Sequence, residues 1–440
     1  MFDILFSDVS VITMDRKRPV LYNAFVGVTG KTIGYVGEHA PEEQALRTVN
    51  GSQKLLMPGL VNSHAHTAMC ALRGAADDYS LEEWLFQRVF PMEARMDERA
   101  VLAGVRLGYA EALAAGITSI TEMYFHIPKT AQIALDCGLR TNICNAVVCF
   151  DPQGFSFERD RSVMETREML RGLHGAGDGR IRVDAGIHAE YTSVPEVWRK
   201  MRDLALENGL RLQMHLSETK AEHERCIERY GKTPARVFYD EGIFDVPTTA
   251  AHCVYVTEQD MELLSEKGVT AAYNPISNLK LASGIAPAAQ MLKKGVNVAI
   301  GSDGCCSNNT LDLFAEMKTG ALLQKGALLD PTALNAWETL ELATLNGARA
   351  QGRESKIGRV EQGMEADLIL IDLDKPHLTP SYDPVGTVVY CARGSDVEMT
   401  MVQGKVLYEK GEYKTLDIER ILHEVRTYCM PLVRGVFKTE

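Results

Sequence analysis

From about Pro58 to about Arg353 the chain repeats one pattern eight times, a short apolar run followed in most cases by an amphipathic stretch. The runs are KLLMPGLV, GITSITEMYF, RTNICNAVVCF, RIRVDAGI, LRLQMHL, TTAAHCV, VTAAYN and VNVAIGSD. Such runs alternating with helices predict a parallel sheet, because parallel neighbours need a long crossover, usually a helix. The intervening segments carry helix signals. DERAVLAGVRLGYAEALAAG ends at Gly116, and SVPEVWRKMRDLALENG is opened by Ser193 and Pro195 and closed by Gly209. Eight units in roughly 300 residues is the size of a (β/α)8 TIM barrel. A doubly wound open sheet is the alternative, but no G-x-G-x-x-G follows any of the runs.

Outside this stretch the texture changes. ILFSDVSVITM and AFVGVTGKTIGYVG near the start alternate apolar and polar residues at period two, as do ADLILIDLD, VGTVVYCARG and EMTMVQGKVLYEKGEY near the end. These segments predict one small β domain assembled from both ends, residues 1–57 plus 354–440, around a central domain of residues 58–353.

The 440 residues carry a net charge of −12, which disfavours polyanionic partners, nucleic acid and anionic membrane surfaces alike. The first residues lack a basic leader, and no apolar run approaches the roughly 20 residues of a spanning helix, so a soluble cytoplasmic protein is expected. Ten cysteines without a C-x-x-C pair suggest neither a disulfide framework nor a thiolate zinc site.

Of 11 histidines, His64, His66, His188, His215 and His252 lie in or just after strand candidates, and Asp303 follows VNVAIGS. In a barrel the C-terminal strand ends converge, so these side chains can share one cavity. His64 and His66 form H-A-H, and residues i and i+2 of a strand point the same way. An H-x-H alone is weak evidence. With His215 and Asp303 it makes a nitrogen and oxygen set suited to Zn2+, with Fe2+ as the alternative, and leaves a position for water. Water on such an ion ionises near neutral pH and becomes a nucleophile. Glu218, three residues after His215, suits a carboxylate that moves the water's proton, and His252 a hydrogen-bonding neighbour of the nucleophile.

The segments MPGLVNSHAHTAM, HLSET, AAHCV and GSDG resemble the amidohydrolase superfamily, specifically its mononuclear zinc deaminases. The resemblance covers essentially the whole chain. It implies a TIM barrel set in a β-sandwich built from both termini, one metal held by His64, His66, His215 and Asp303, Glu218 as proton shuttle, and His252 and Asp303 orienting the attack. Dinuclear relatives carry a carboxylated Lys at the end of the fourth strand, where this chain has His188. The further runs LEEWLFQRVFPMEARM, YNPISNLKLASGIAP, SDGCCSNNTLDLFAEMK and ALLQK are similar to 5-methylthioadenosine/S-adenosylhomocysteine deaminases. That likeness implies Glu93 at the ribose hydroxyls, Trp84 in the nucleoside pocket and His188 at the purine, in a homo-oligomer (dimer or tetramer). One departure concerns the homocysteine carboxylate. The family's third-strand Arg is replaced by Asn145, and a loop Arg corresponds loosely to Arg161. Adenosine, 5′-deoxyadenosine and 5-methylthioadenosine therefore stay open as substrates, with S-adenosylhomocysteine less favoured. Rival readings are a deaminase of free guanine, cytosine or pterin, a triazine hydrolase, and a scaffold without catalysis. Polynucleotide editing is disfavoured because the P-C-x-x-C zinc signature is absent.

Overall fold

The computed structural model describes residues 1–80 and 83–437; Leu81 and Glu82, which open the LEEW run, and residues 438–440 lie outside the description. Five strands come first: β1 (Phe2–Ile12), β2 (Val20–Thr29), β3 (Thr32–Gly37), β4 (Ala45–Asn50) and β5 (Lys54–Pro58). The central strands are β6 (Leu60–His66), β7 (Ile117–Met123), β8 (Arg140–Cys144), β9 (Ile181–Val183), β10 (Ala185–Gly186), β11 (Leu212–Leu216), β12 (Thr248–His252), β13 (Thr270–Tyr273), β14 (Asn297–Ile300) and β15 (Asp303–Gly304). Four more close the chain: β16 (Leu368–Asp372), β17 (Val397–Val402), β18 (Lys405–Glu409) and β19 (Glu412–Tyr413).

Both ends of the chain build one nine-stranded sheet, in which β5 bridges the N-terminal β1 and the C-terminal β16. Its period-two pattern buries Phe2, Ile4 and Phe6 on β1. At Asp8, whose φ is +54°, the register shifts, so that Val9 and Val11 take over the buried face. A bulge is thus the reason the alternation survives two polar interruptions.

The central strands form two parallel five-stranded sheets, β15-β6-β7-β8-β9 and β10-β11-β12-β13-β14. Most are buried from end to end, as parallel strands covered by helices must be. The fold is therefore mixed α/β with parallel sheets. At the two junctions, consecutive backbone groups bond to different sheets. Asp184 N–H donates to Ile143 O at 2.9 Å and Ala185 N–H to Arg211 O at 2.8 Å. Gly301 N–H donates to Tyr273 O at 2.9 Å and Ser302 N–H to His64 O at 3.1 Å.

Several local expectations change. KLLMPGLV is two strands: β5 ends at Pro58 inside the terminal sheet and β6 begins at Leu60. Proline removes a ladder donor, and Gly59 leaves room for Thr118, which a Cβ there would meet at 2.2 Å. VGTVVYCARG is helical over Pro384–Tyr390, because Asp383 accepts the Val385 N–H and Pro384 stands in the first turn. Val194 rather than Ser193 occupies the N-cap of the helix Pro195–Asn208, while Gly209 closes it at φ +63°. The helices Ile418–Glu424 and Met430–Phe437 leave the terminal sheet; Arg99 on the central helix Glu98–Ala114 bonds Glu424 at 2.9 Å. Beneath the site, Arg140 at the start of β8 is buried and pairs with Asp367 and Glu365, tying the two parts together. Among the described residues no helix is long and apolar enough to cross a membrane.

Candidate metal centre and substrate cleft

Three parallel strands deliver the four predicted ligands, and a fourth brings His252 beside them. His64 and His66 come from β6, His215 from β11 and Asp303 from β15, while His252 ends β12. Register brings β6 and β15 side by side, with Asp303 opposite Ala65 and Gly304 opposite His66. His252 (φ +73°) and Asp303 (φ +59°) adopt left-handed backbone conformations that non-glycine residues rarely hold. Such strain persists only where surrounding contacts over-determine it. Gly301 makes room: a Cβ there would lie 2.4 Å from Asn274 Oδ1 and 2.9 Å from His64 N.

Hydrogen bonds set the imidazole tautomers. His66 Nδ1 lies 2.5 Å from Met123 O, and His215 Nδ1 lies 2.7 Å from His188 O. A carbonyl only accepts, so each Nδ1 carries the proton and each Nε2 is free to ligate. Those Nε2 atoms are 3.4 Å apart, and Asp303 Oδ1 sits 3.3 Å from His66 Nε2 and 3.6 Å from His64 Nε2. The other carboxylate oxygen is held by Ser277 at 2.5 Å and Ser307 at 2.8 Å. His64 Nε2 is buried with no hydrogen-bond partner. Packed at this spacing, these atoms repel one another unless a proton or a metal ion joins them. Separations of 3.3 to 3.6 Å suit donors that share one ion through bonds of about 2.0–2.2 Å. The donor set therefore fits a metal ion.

Electrostatics favour a positive charge beside Asp303, carried by a proton on His66 or by a metal ion in its place. Burial and the neighbouring imidazoles push His64 and His188 down to about 4, keeping both neutral. His215 is lowered well below the ordinary range for the same reasons. His66 moves up to about 9, since Asp303 more than offsets its burial, and Asp303 is held well below the usual carboxylate range by His64 and His66 despite burial. Burial raises Glu218, whose Oε2 is 3.8 Å from His252 Nε2. On its other side His252 Nδ1 bonds Asn278 Oδ1 at 2.8 Å.

A cleft of about 920 Å³ including its open mouth rises from this cluster. Its lining is mostly apolar, from residues such as Met69, Val89, Phe90, Phe125 and Leu281, and includes Trp84, Glu93, Asn145 and His188. Glu93 ends the short helix Phe90–Glu93 and accepts from Tyr124 Oη at 2.6 Å; burial raises its carboxyl group. Asn145 donates to Glu165 at 2.9 Å. Arg161 lies off the lining: its guanidinium bonds Glu165 at 2.8 Å and His126 at 2.6 Å, so the structure does not bring it to the cleft.

Sequence reading missed the supporting residues. Asn278 and Ser277 sit in the run YNPISN, and Glu222 could have been found from T-K-A-E, the Ser/Thr-x-x-Glu signature of a helix start. Tyr124 carried no local signal.

The amidohydrolase family profile matches residues 55–407. The 5-methylthioadenosine/S-adenosylhomocysteine deaminase of Caldanaerobacter subterraneus is 41% identical over 433 residues, covering 98% of this chain and 99% of the relative. The 5′-deoxyadenosine deaminase of Methanosarcina acetivorans is 41% identical over 434 residues, with 98% and 99% covered. Among solved structures, an adenosine deaminase from Xanthomonas campestris with bound zinc superposes with a TM-score of 0.93 at 32% identity, covering 99% of each chain. An atrazine chlorohydrolase from Arthrobacter aurescens complexed with zinc, at 24% identity and a TM-score of 0.88 over 98% of this chain and all of the other, shares the fold. With the family profile spanning most of its length and full-length relatives at this identity, the chain belongs to the amidohydrolase family.

Proposed function

We propose that this chain is a zinc-dependent hydrolytic deaminase of adenosine-type nucleosides, releasing ammonia and leaving the inosine-type product. The observation that carries the reading is the juxtaposition of the His64, His66, His215 and Asp303 donor set with the Glu218–His252 pair at the base of an apolar cleft. The relatives named as 5-methylthioadenosine/S-adenosylhomocysteine and 5′-deoxyadenosine deaminases support the nucleoside class. The zinc in the Xanthomonas structure supports zinc over iron.

When bound by these four residues, Zn2+ supplies the Lewis acidity that makes water nucleophilic near neutral pH. Glu218 takes a proton from the attacking water and delivers it to N1 of the adenine ring, drawing electron density from C6. Its buried, raised carboxyl suits a group that must both accept and give a proton. His252 directs the water oxygen to C6 from the side opposite Asn278. As the C6–O bond forms, the remaining water proton passes through Glu218 to the 6-amino group, and the C6–N bond breaks to release ammonia. Neutral His188 faces the purine, Glu93 accepts from the ribose hydroxyls beside Tyr124, and Trp84 packs on the nucleoside.

The same reading extends to architecture. The two parallel sheets, joined through the split strands β9/β10 and β14/β15, act as one closed eight-stranded TIM barrel over residues 58–353. The nine-stranded sheet around the core of Phe6, Val11, Val26, Leu370 and Met401 serves as the β-sandwich of residues 1–57 and 354–440. Ammonia release from adenosine, 5′-deoxyadenosine, 5-methylthioadenosine and S-adenosylhomocysteine tests the function. Guanine, cytosine, a pterin and a chlorotriazine serve as rivals. Turnover of a rival with no ammonia from any adenosine derivative would overturn the nucleoside reading.

A further inference from the structure

The loop that carries Glu218 is held by another buried acid. Glu222, on the first turn of the helix Lys220–Tyr230, accepts three consecutive backbone N–H groups: Ser217 at 3.0 Å, Glu218 at 2.7 Å and Thr219 at 3.4 Å. An ordinary capping box explains only the Thr219 bond, returned here by Glu222 N–H to Thr219 Oγ1 at 3.1 Å. The other two reach outside the helix, into the turn that leaves β11. Ser217 there has a φ of +48°, a conformation that costs free energy for a residue with a side chain. Its carbonyl accepts from Val254 N–H at 3.1 Å and Tyr255 N–H at 3.0 Å, both in the segment that follows His252. Donors of the turn therefore go to Glu222 and its acceptor to the loop after β12. Glu222 is 7% exposed and does not line the cleft, so it has no direct path to a substrate.

We propose that Glu222 is the positioning residue for Glu218, fixing the strained turn so that the Glu218 carboxylate stays beside His252. This rests on the deaminase reading for its catalytic consequence, but the holding of the turn does not. Replacing Glu222 by Gln substitutes an NH2 donor for one oxygen and sets it against backbone N–H groups, leaving at least one of them unpaired. The proton-transfer group then loses its geometry while the ligands on β6, β11 and β15 keep theirs.

The test uses full-length, metal-loaded protein and three variants, Glu222→Gln, Glu218→Gln and the double variant. Glu222→Gln is expected to lower kcat by about 10²-fold, the scale of a misplaced reacting group. KM for 5-methylthioadenosine stays within about threefold. In the double variant Glu222→Gln adds no further loss to Glu218→Gln, because it acts through that side chain. Hydrogen exchange of the Ser217, Glu218 and Thr219 amides speeds up at least about tenfold while that of β11 does not. Unchanged kcat, multiplying losses in the double variant, or unchanged exchange at these amides each overturns the proposal. Glu222→Asp, which keeps a carboxylate, restores part of the lost kcat; a variant as slow as Gln counts against it. If the wild type releases no ammonia from any adenosine-type nucleoside, the deaminase reading has failed. The exchange measurement then decides on its own whether Glu222 holds the turn.

Discussion

Asn145 spends its amide N–H on the buried carboxylate of Glu165, 2.9 Å away, and the same carboxylate engages Arg161 at 2.8 Å. Arg161 is thus paired away from the cleft, and among the described lining residues there is no Lys or Arg. The carboxylate of a homocysteine 5′ substituent finds no such side chain there to replace its water. We predict that kcat/KM for 5-methylthioadenosine exceeds that for S-adenosylhomocysteine by at least about tenfold, which corresponds to about 1.4 kcal/mol. Steady-state rates with both substrates check this. Equal values would contradict it.

Glu218→Gln removes a proton carrier without removing a ligand. Its kcat is expected to fall by about 10²-fold or more, in the range of general acid–base contributions. Metal content measured by elemental analysis stays at the wild-type value. A loss of metal in parallel with activity would instead place Glu218 among the ligands.

Chelation should lower both activity and thermal stability, because a metal that binds only the folded chain stabilises it by mass action. The apo protein is expected to melt earlier and to regain Tm and ammonia release on adding Zn2+. His66→Ala and Asp303→Asn should show low Tm and no response to added metal. A chelated protein that keeps its Tm would argue against a metal held by these residues.

Arg140 is buried against Asp367 and Glu365, so removing the charge from one side strands the other. Arg140→Met is expected to destabilise the fold by about 3–5 kcal/mol, measured by urea unfolding. The acid limb carries a sign. Burial raises Glu365, but Arg140 and its other partners outweigh it, so the folded pKa lies below the ordinary 4.5. Its stabilisation is therefore complete above that value and is lost as pH falls through the lower folded pKa. Glu365→Gln should flatten the fall in stability below about pH 4.5 relative to wild type.

Much of this molecule was legible in order of residues. Runs such as LRLQMHL and TTAAHCV declare buried strands through local apolar content alone, and the H-A-H spacing declares two imidazoles on one side of a strand. KLLMPGLV and VGTVVYCARG misled because a few apolar residues suit a strand or a helix equally. Their outcome was set by Pro58 meeting the terminal sheet and by Asp383 capping Val385.

The sequence by itself determined the chemistry available: which strand ends carry imidazole or carboxylate, and that both termini favour β structure. Tertiary structure alone decided how that chemistry is aimed. The tautomers of His66 and His215 depend on Met123 O and His188 O, 57 and 27 residues away. Arg161 was drawn to His126, 35 residues away, instead of the cleft, and the turn that carries Glu218 was tied to Val254 and Tyr255 in the loop after β12. The physical reason is that hydrogen bonds and ion pairs fall off within a few ångströms. Their partners are chosen by strand register and helix packing, which no local stretch of residues encodes.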